Sequence, residues 1–304
     1  MNILVTGGAG FIGSHLVDRL LEAGHQVCII DDLSTGKKEY LNPQAKFYEL
    51  DVRDQSIKKI FTDGNFDYVF HLAAQMQVIK SVEDPEFDKD VNVNGSHNVF
   101  LNSAATGVKK VIFFSTGGAI YGNVNSPADE NFPANPDSPY AAHKYEAEQD
   151  LQKISKEHNL DYAILRPANV YGPRQYKGGE GAVIAVFTYN ALEEKECTVY
   201  GDGNQTRDFV YVADVVDACL EVIKKEVNGI YNIGSGKETS VLDLIRTLTV
   251  STGQELKYKH APARSGEIQR SVLDAKKALN SFGWQAAVSL EEGLKKTLAW
   301  VKSL

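Results

Sequence analysis

The chain opens Asn2-Ile3-Leu4-Val5-Thr6-Gly7-Gly8-Ala9-Gly10-Phe11-Ile12-Gly13, and this stretch decides the fold. Ile3, Leu4 and Val5 form a short apolar run of strand type. The glycines that follow fit G-x-G-x-x-G (Gly8, Gly10, Gly13) and also recur every third residue from Gly7. Beyond them Ile12, Leu16, Leu20 and Leu21 keep helical spacing up to Ala23-Gly24, a helix stop. A second apolar run, Gln26–Asp31, has strand length. Strand, glycine turn, helix and strand within about 30 residues make a βαβ unit. In that context the glycines permit a tight turn and let a pyrophosphate reach the helix N-terminus. Asp31 ends the second strand, about 20 residues past the glycines, where a carboxylate accepts hydrogen bonds from ribose hydroxyls. It would repel a 2′-phosphate, and Asp32 adds to that repulsion, so the expected cofactor is NAD rather than NADP. Asp51 and Val52, just past a third strand, stand where adenine would be held, although an aspartate there also serves as a helix cap.

The alternation continues, with strands expected at Lys46–Leu50, Tyr68–Leu72, Lys110–Ser115 and Tyr162–Arg166. Helices are expected at Gln55–Asp63, Asp88–Ala105 and Tyr140–His158. Apolar strands alternating with helices predict an α/β fold, a Rossmann-type doubly wound parallel sheet covered on both faces. After Arg166-Pro167 the pattern loosens, and residues 169–181 are rich in glycine and polar side chains. Helices are expected again from Val215 to Lys224, from near Ser240, and from Leu290 to Val301. The expected organisation is an NAD-binding domain over 1–168, to which segments near 209–240 return. A smaller mixed α/β substrate-binding region over 169–304 would pack on it and form a cleft.

With 304 residues the chain can build a large core. Its 32 basic and 40 acidic residues leave a net charge of −8, which argues against nucleic acid or an anionic membrane as partner. No apolar run approaches membrane-spanning length, and no leader pattern precedes the first strand, so a cytoplasmic location is expected. Cys28, Cys197 and Cys219 show no paired or metal-ligand spacing, and no metal is expected; Cys28, in an apolar run, reads as a buried thiol. His71 and His143 fall in no metal-binding spacing, and His71 at a strand end reads as structural. Trp284 and Trp300 read as core anchors, and Glu193-Glu194-Lys195-Glu196 as a solvated face.

Tyr140-Ala141-Ala142-His143-Lys144 lies in a stretch without helix breakers, so the two heads share a face. A free phenol, with a pKa of about 10, is a poor base at neutral pH. An ammonium about 4 Å away, at an effective dielectric of about 20, favours the phenolate by roughly 4 kcal/mol before desolvation. Lys144 is therefore expected to lower the pKa of Tyr140. A lone Tyr-x-x-x-Lys is also an ordinary solvated pair; the glycine turn and Asp31 weigh the reading towards proton transfer.

With Thr6–Gly13, His71-Leu72-Ala73-Ala74-Gln75, Tyr121-Gly122 and Tyr140-x-x-x-Lys144, the chain resembles the extended short-chain dehydrogenase/reductase family. The runs Arg166–Arg174 and Arg207–Asp214 match its nucleotide-sugar-modifying members, the 4-epimerases above all. Leu279-x-x-x-Gly283-Trp284 and the last helix extend the match over essentially the whole chain. The resemblance implies a bound NAD that removes hydride from the hexose C4 of a UDP-sugar while the tyrosine takes the 4-hydroxyl proton. The 4-keto sugar then turns, and hydride returns to its other face, interconverting UDP-glucose and UDP-galactose without an external redox partner. On this chain Tyr140 would be the acid/base, and Lys144 would also hold the nicotinamide ribose. Gly7, Gly10, Phe11, Ile12, Gly13, Asp31, Asp32, Leu33, Ser34, Thr35, Gly36, Asp51, Val52, Leu72, Ala73, Ala74, Gln75 and Ala168 would line the cofactor. Asn169 would meet the substrate diphosphate, and Ala182, Val183, Val199 and Tyr200 would border the uridine. Arg207 and Arg264 would clamp the diphosphate, since guanidinium forks suit phosphate oxygens. Glu267 would accept hydrogen bonds from the uridine ribose. The family also implies a homodimer built from Asp88–Ala105 and Tyr140–His158 as a four-helix bundle.

Two departures matter. Aligning on Tyr121-Gly122 puts Gly117 where relatives carry a Ser or Thr that bonds the reacting hydroxyl. Thr116, one residue earlier, is the nearest substitute; a water or Tyr140 alone are the alternatives, and a partial role for Thr116 is expected. Ser271 stands where a bulky side chain would exclude N-acetylated sugars, so UDP-GlcNAc and UDP-GalNAc are expected substrates too. Three other readings compete. A 4,6-dehydratase or decarboxylase is one, but dehydratases place Asp-Glu after the threonine, where Gly117-Gly118 stand here. UDP-glucuronate 4-epimerisation is another. A non-catalytic NAD-binding regulator would need neither Tyr140 nor Lys144.

Overall fold

The structure, a computed structural model, describes residues 1–175, 182–264 and 266–304; residues 176–181 of the glycine-rich stretch lie outside the described residues. The first strands are β1 (Asn2–Thr6), β2 (Gln26–Asp31), β3 (Lys46–Glu49), β4 (Tyr68–His71), β5 (Lys110–Phe114) and β6 (Asp161–Pro167). They are followed by β7 (Asn169–Tyr171), β8 (Cys197–Tyr200), β9 (Thr206–Tyr211), β10 (Gly229–Ile233), β11 (Glu238–Ser240) and β12 (Tyr258–Ala261). The main sheet has the order β10-β6-β5-β4-β1-β2-β3. Its pairs from β3 to β6 are parallel. Parallel strands covered on both faces must be apolar throughout. Accordingly Leu4, Ile30, Val69, Phe113 and Ile164 share one buried cluster with Phe61, Phe100 and Leu151 from the covering helices. Thr6 pairs with both Ile30 and His71, so β1, β2 and β4 end level. Between β1 and β4 the chain order reverses, the position at which such sheets bind ligands.

The chain divides into two compact units. The first holds Met1–Thr116, Ser138–Arg166 and Val216–Tyr231; the second holds Gly117–Asp137, Pro167–Val215 and Asn232–Leu304. The segment 1–168 is therefore not one block, because Gly117–Asp137 belongs with the second unit. Its ties explain why. Tyr121 donates its hydroxyl to Asn232 Oδ1 (2.9 Å), Ala128 donates its N–H to Val272 O (3.0 Å), and Glu130 Oε1 accepts from Asn232 N (2.7 Å).

Local signals account for the helix that carries Tyr140. Ser138 Oγ accepts from Ala141 N and Pro139 fills the first turn, so the helix is Pro139–His158, closed by Asn159 at φ +56. The single helix expected over Asp88–Ala105 is interrupted. A short helix, Pro85–Lys89, runs into a wide π-type turn, Asp90–Gly95, before Ser96–Ala105. The extra residue in that turn lets Asn92 send its side chain to Gln75 and Asp88.

The second unit carries the sheets β11-β9-β7 and β12-β8. Asp208, buried in β9, accepts N–H groups from Ser235 (2.9 Å), Gly236 (3.0 Å) and Leu273 (3.3 Å), binding three segments together. Trp284 is buried and donates its indole N–H to Asp214 O (2.8 Å), whereas Trp300 is only half-buried.

Candidate active site

Gly7 leaves β1 at φ +73, and a Cβ there would stand 2.7 Å from Ala73 N. A Cβ on Gly13 would collide with Gly7 O. No side chain caps the helix Phe11–Glu22, so its leading N–H groups, those of Phe11 and Ile12, suit an anion. At the end of β2 the Asp31 carboxylate accepts from Ala9 N and Leu33 N, each at 2.9 Å. Burial pushes this carboxyl up, and the two N–H bonds oppose that. Gly36 passes so close that a Cβ would lie 2.7 Å from Asp31 Oδ1, while Leu33 turns the chain at φ +58. Asp32 accepts the N–H and hydroxyl of exposed Ser34, and Thr35 is exposed beside it. A glycine cradle beside a ribose-level carboxylate fits a dinucleotide.

Around this cradle some expected residues are turned elsewhere. Arg53 Nη2 lies 2.6 Å from Asp51 Oδ2, and Nη1 lies 2.7 Å from Asp90. Burial opposes ionisation of Asp51, but Arg53 outweighs it and holds the carboxyl below its usual range. The Asp51 carboxylate thus faces Arg53, and Val52 beside it is buried. Leu72 and Ala73 are pinned to Thr6 through N–H bonds of 3.1 and 3.3 Å, with half-buried Ala74 next in line. Gln75, by contrast, turns its amide inward to Asp88 Oδ1 (2.6 Å) and Gln77 O (2.9 Å). His71 is structural. It bonds Thr6 Oγ1 (2.6 Å) and Ser96 Oγ (2.9 Å), stacks on Phe113, and is kept neutral by burial with the Lys144 charge adding.

Tyr140 sits in the first turn of its helix, its N–H donating to Ser81 Oγ at 3.1 Å. The Thr116 side chain acts on its phenol, favouring the phenolate. Lys144 lies one turn on, 2 % exposed, with Nζ 4.2 Å from the centre of the Phe113 ring. Burial first, then the charge of Asp88, push the phenol up to about 12, with Thr116 pulling the other way. Burial pushes the ammonium down to about 7 against the attraction of Glu148 and Asp88. Burial and Asp88 thus raise the phenol, and the lowering comes from Thr116. A helical turn, Gly117–Ile120, starts directly after Thr116. Asp88, Asn92 and His143 also converge here and were not singled out as site residues. The hint was His143 itself, placed between the tyrosine and the lysine.

In the second unit the side chains gather about the start of β9. Arg207 donates to Thr206 O (2.9 Å) and lies 3.7 Å from Glu267 Oε1. Burial pushes its guanidinium down, with Glu267 and Asp137 resisting. The Arg264 guanidinium is stacked 3.9 Å from the centre of the Tyr200 ring. Ser271 is buried, its N–H on Thr206 O at 3.2 Å. Asn169 keeps a buried Oδ1 with no hydrogen-bond partner among the described residues, and a Cβ on Gly118 would stand 3.2 Å from it. Ala168 donates its N–H to Ile233 O (2.9 Å); Ala182 is buried and half-buried Val183 opens the helix Val183–Leu192. Val199 departs from expectation. It is fully buried, so its side chain offers no surface to a ligand. Among the described residues no group of His, Cys, Asp and Glu could hold a metal ion.

A phenol of this kind, on the same unit as a dinucleotide cradle, belongs to an enzyme that moves a proton while a nicotinamide moves a hydride. The class is the extended short-chain dehydrogenase/reductases. Within it, the chain belongs to the NAD dependent epimerase/dehydratase family, whose profile matches residues 3–234. It is 47 % identical to the UDP-glucose 4-epimerase of Thermotoga maritima, solved with UDP-glucose, at a TM-score of 0.97 over 100 % of this chain and 99 % of that one. The UDP-glucose 4-epimerase of Thermus thermophilus, solved with NAD, is 39 % identical at a TM-score of 0.96 over 99 % of each chain. The UDP-N-acetylglucosamine 4-epimerase of Methanobrevibacter ruminantium is 36 % identical at a TM-score of 0.94, covering 99 % of this chain and 98 % of that one.

Proposed function

We propose that the protein interconverts UDP-glucose and UDP-galactose by removing and restoring hydrogen at the hexose C4. The observation that carries this reading is Tyr140 with buried Lys144 one helical turn on, on the same unit as the glycine cradle. NAD, held by Gly7–Gly13 and Asp31, supplies the acceptor and donor of the C4 hydride. Tyr140 takes the proton of the 4-hydroxyl and gives it back, with Thr116 steadying the phenolic oxygen. Lys144 holds the ribose hydroxyls next to the nicotinamide and places a positive charge near the forming phenolate. Arg207 and Arg264 bind the diphosphate, Asn169 lies beside it, and Glu267 accepts from the uridine ribose. Tyr200, Ala182 and Val183 border the uracil.

Ser271 is small, and this supports a substrate range that includes the 2-acetamido sugars UDP-GlcNAc and UDP-GalNAc. We read the functional state as a homodimer through the helices Ser96–Ala105 and Pro139–His158. The location is read as cytoplasmic: Cys28, Cys197 and Cys219 are buried and in no disulfide among the described residues, and no helix among them is long and apolar enough to cross a membrane. The test is to incubate purified protein with UDP-glucose and no added NAD. Appearance of UDP-galactose is expected; consumption of UDP-glucose with loss of water from the sugar would instead make the protein a dehydratase.

A further inference from the structure

His143, between Tyr140 and Lys144, has its Nδ1 2.6 Å from Asp88 Oδ2, with side chains 14 % and 1 % exposed. The other oxygen of Asp88 accepts from Gln75 Nε2 (2.6 Å) and Asn92 Nδ2 (3.1 Å). Asn92 in turn clasps the Gln75 backbone through both of its amide atoms, at 3.1 and 2.9 Å. Burying a carboxylate is costly unless it is paired or fully hydrogen-bonded. Among the described residues no lysine or arginine forms an ion pair with Asp88, and an amide would fill the same volume. Retaining a charge there needs a reason, and the reason is what the charge faces.

The surrounding groups narrow it. Glu148, the other anion near Lys144, is clasped by Arg166 at 2.9 and 2.5 Å, so its charge is already balanced. His71 is neutral. Lys89 pairs with Glu146 (3.2 Å), Arg53 with Asp90 (2.7 Å), and His97 with Asp150 (2.8 Å), all partly exposed. Glu148 and Asp88 both attract Lys144; Asp88 differs in having no lysine or arginine partner among the described residues and in acting on Tyr140 as well.

We propose that Asp88, held by His143, Gln75 and Asn92, is a positioning residue for the proton-transfer pair: it anchors the head of the Pro139–His158 helix and is a buried counter-charge shared by Tyr140 and Lys144. The proposal rests on Tyr140 and Lys144 being the pair that moves the proton. Removing the charge lets both the phenol and the ammonium lose their protons more readily, since Asp88 raises both. Both limbs of the kcat–pH profile then move to lower pH, a change that a merely structural role would not produce.

The experiment measures kcat and KM against pH with UDP-glucose on the purified holoenzyme and four variants. In Asp88→Asn the profile is expected to move about one unit towards acid, with kcat falling about tenfold at the basic end. KM for the sugar stays within about twofold. His143→Ala lowers kcat in the same sense, and His143→Asn, with an amide N–H where Nδ1 stands, recovers most of the loss. An Asp88→Asn profile that is scaled but not shifted, or a loss confined to KM, overturns the proposal. If Asp88→Asn does not fold, the two His143 variants decide, and no recovery in His143→Asn is the overturning result. Tyr140→Phe completes the set: wild-type turnover there would refute the pair itself, independently of Asp88.

Discussion

The two units present their candidate residues by different means. The first works mainly with backbone. Gly7 at φ +73, the uncapped helix at Phe11, and strands ending level at Thr6, Ile30 and His71 make a cradle before any side chain is considered. The second works with side chains projecting from short strands and loops: Arg207 beside Glu267, Arg264 on Tyr200, Ser271 against Thr206. Backbone geometry leaves a periodic trace in sequence, and a handful of converging side chains does not. The proposed function assigns the chemistry to the first unit and the substrate grip to the second.

Breaking the first half of that division should have the largest effect. Tyr140→Phe is expected to lower kcat by roughly a thousandfold, the scale of a lost acid/base group, with KM little changed. Steady-state kinetics on UDP-glucose checks this, and a loss residing in KM would erase the division. Arg207→Ala should do the reverse. Its kcat/KM falls about 10- to 100-fold, the worth of a charged hydrogen bond, with the loss mostly in KM.

Thr116→Val sharpens the comparison inside the first unit. Losing the Thr116 hydroxyl is expected to cost about tenfold in kcat. Because Thr116 lowers the phenol pKa, its removal raises that pKa, and the acid limb of the kcat–pH profile moves to higher pH. A value of kcat equal to wild type would leave Thr116 without a role. The smallest change is expected from Ser271→Tyr, which should reduce kcat/KM on UDP-GlcNAc several-fold more than on UDP-glucose. Equal losses on the two sugars would remove Ser271 as a size gate.

The legibility of the molecule follows the same division. Ile3–Val5, the glycine spacing and Asp31 carried the fold because strand and helix periods are local properties. The allegiance of Gly117–Asp137 was hidden, since it depends on pairing such as Ala128 N to Val272 O, far along the chain. The site residues of the second unit became readable only through family resemblance, and Val199 shows its limit: a matched position can face inward. The rise of the Tyr140 phenol was not readable because burial, its largest cause, cannot be estimated from spacing. Asp88 was invisible for a related reason. Its partners Asn92, Gln75 and His143 stand 4, 13 and 55 residues away in the chain, and only the fold brings them to one carboxylate.

The most direct test of the central claim follows the hydrogen at C4. UDP-glucose carrying deuterium at C4 is incubated with the purified protein in ordinary water, and the UDP-galactose formed is examined by mass spectrometry and NMR. Hydride removed and returned within one closed site predicts that the product keeps the deuterium at C4. Product in which that deuterium has been replaced by hydrogen from water would contradict the account.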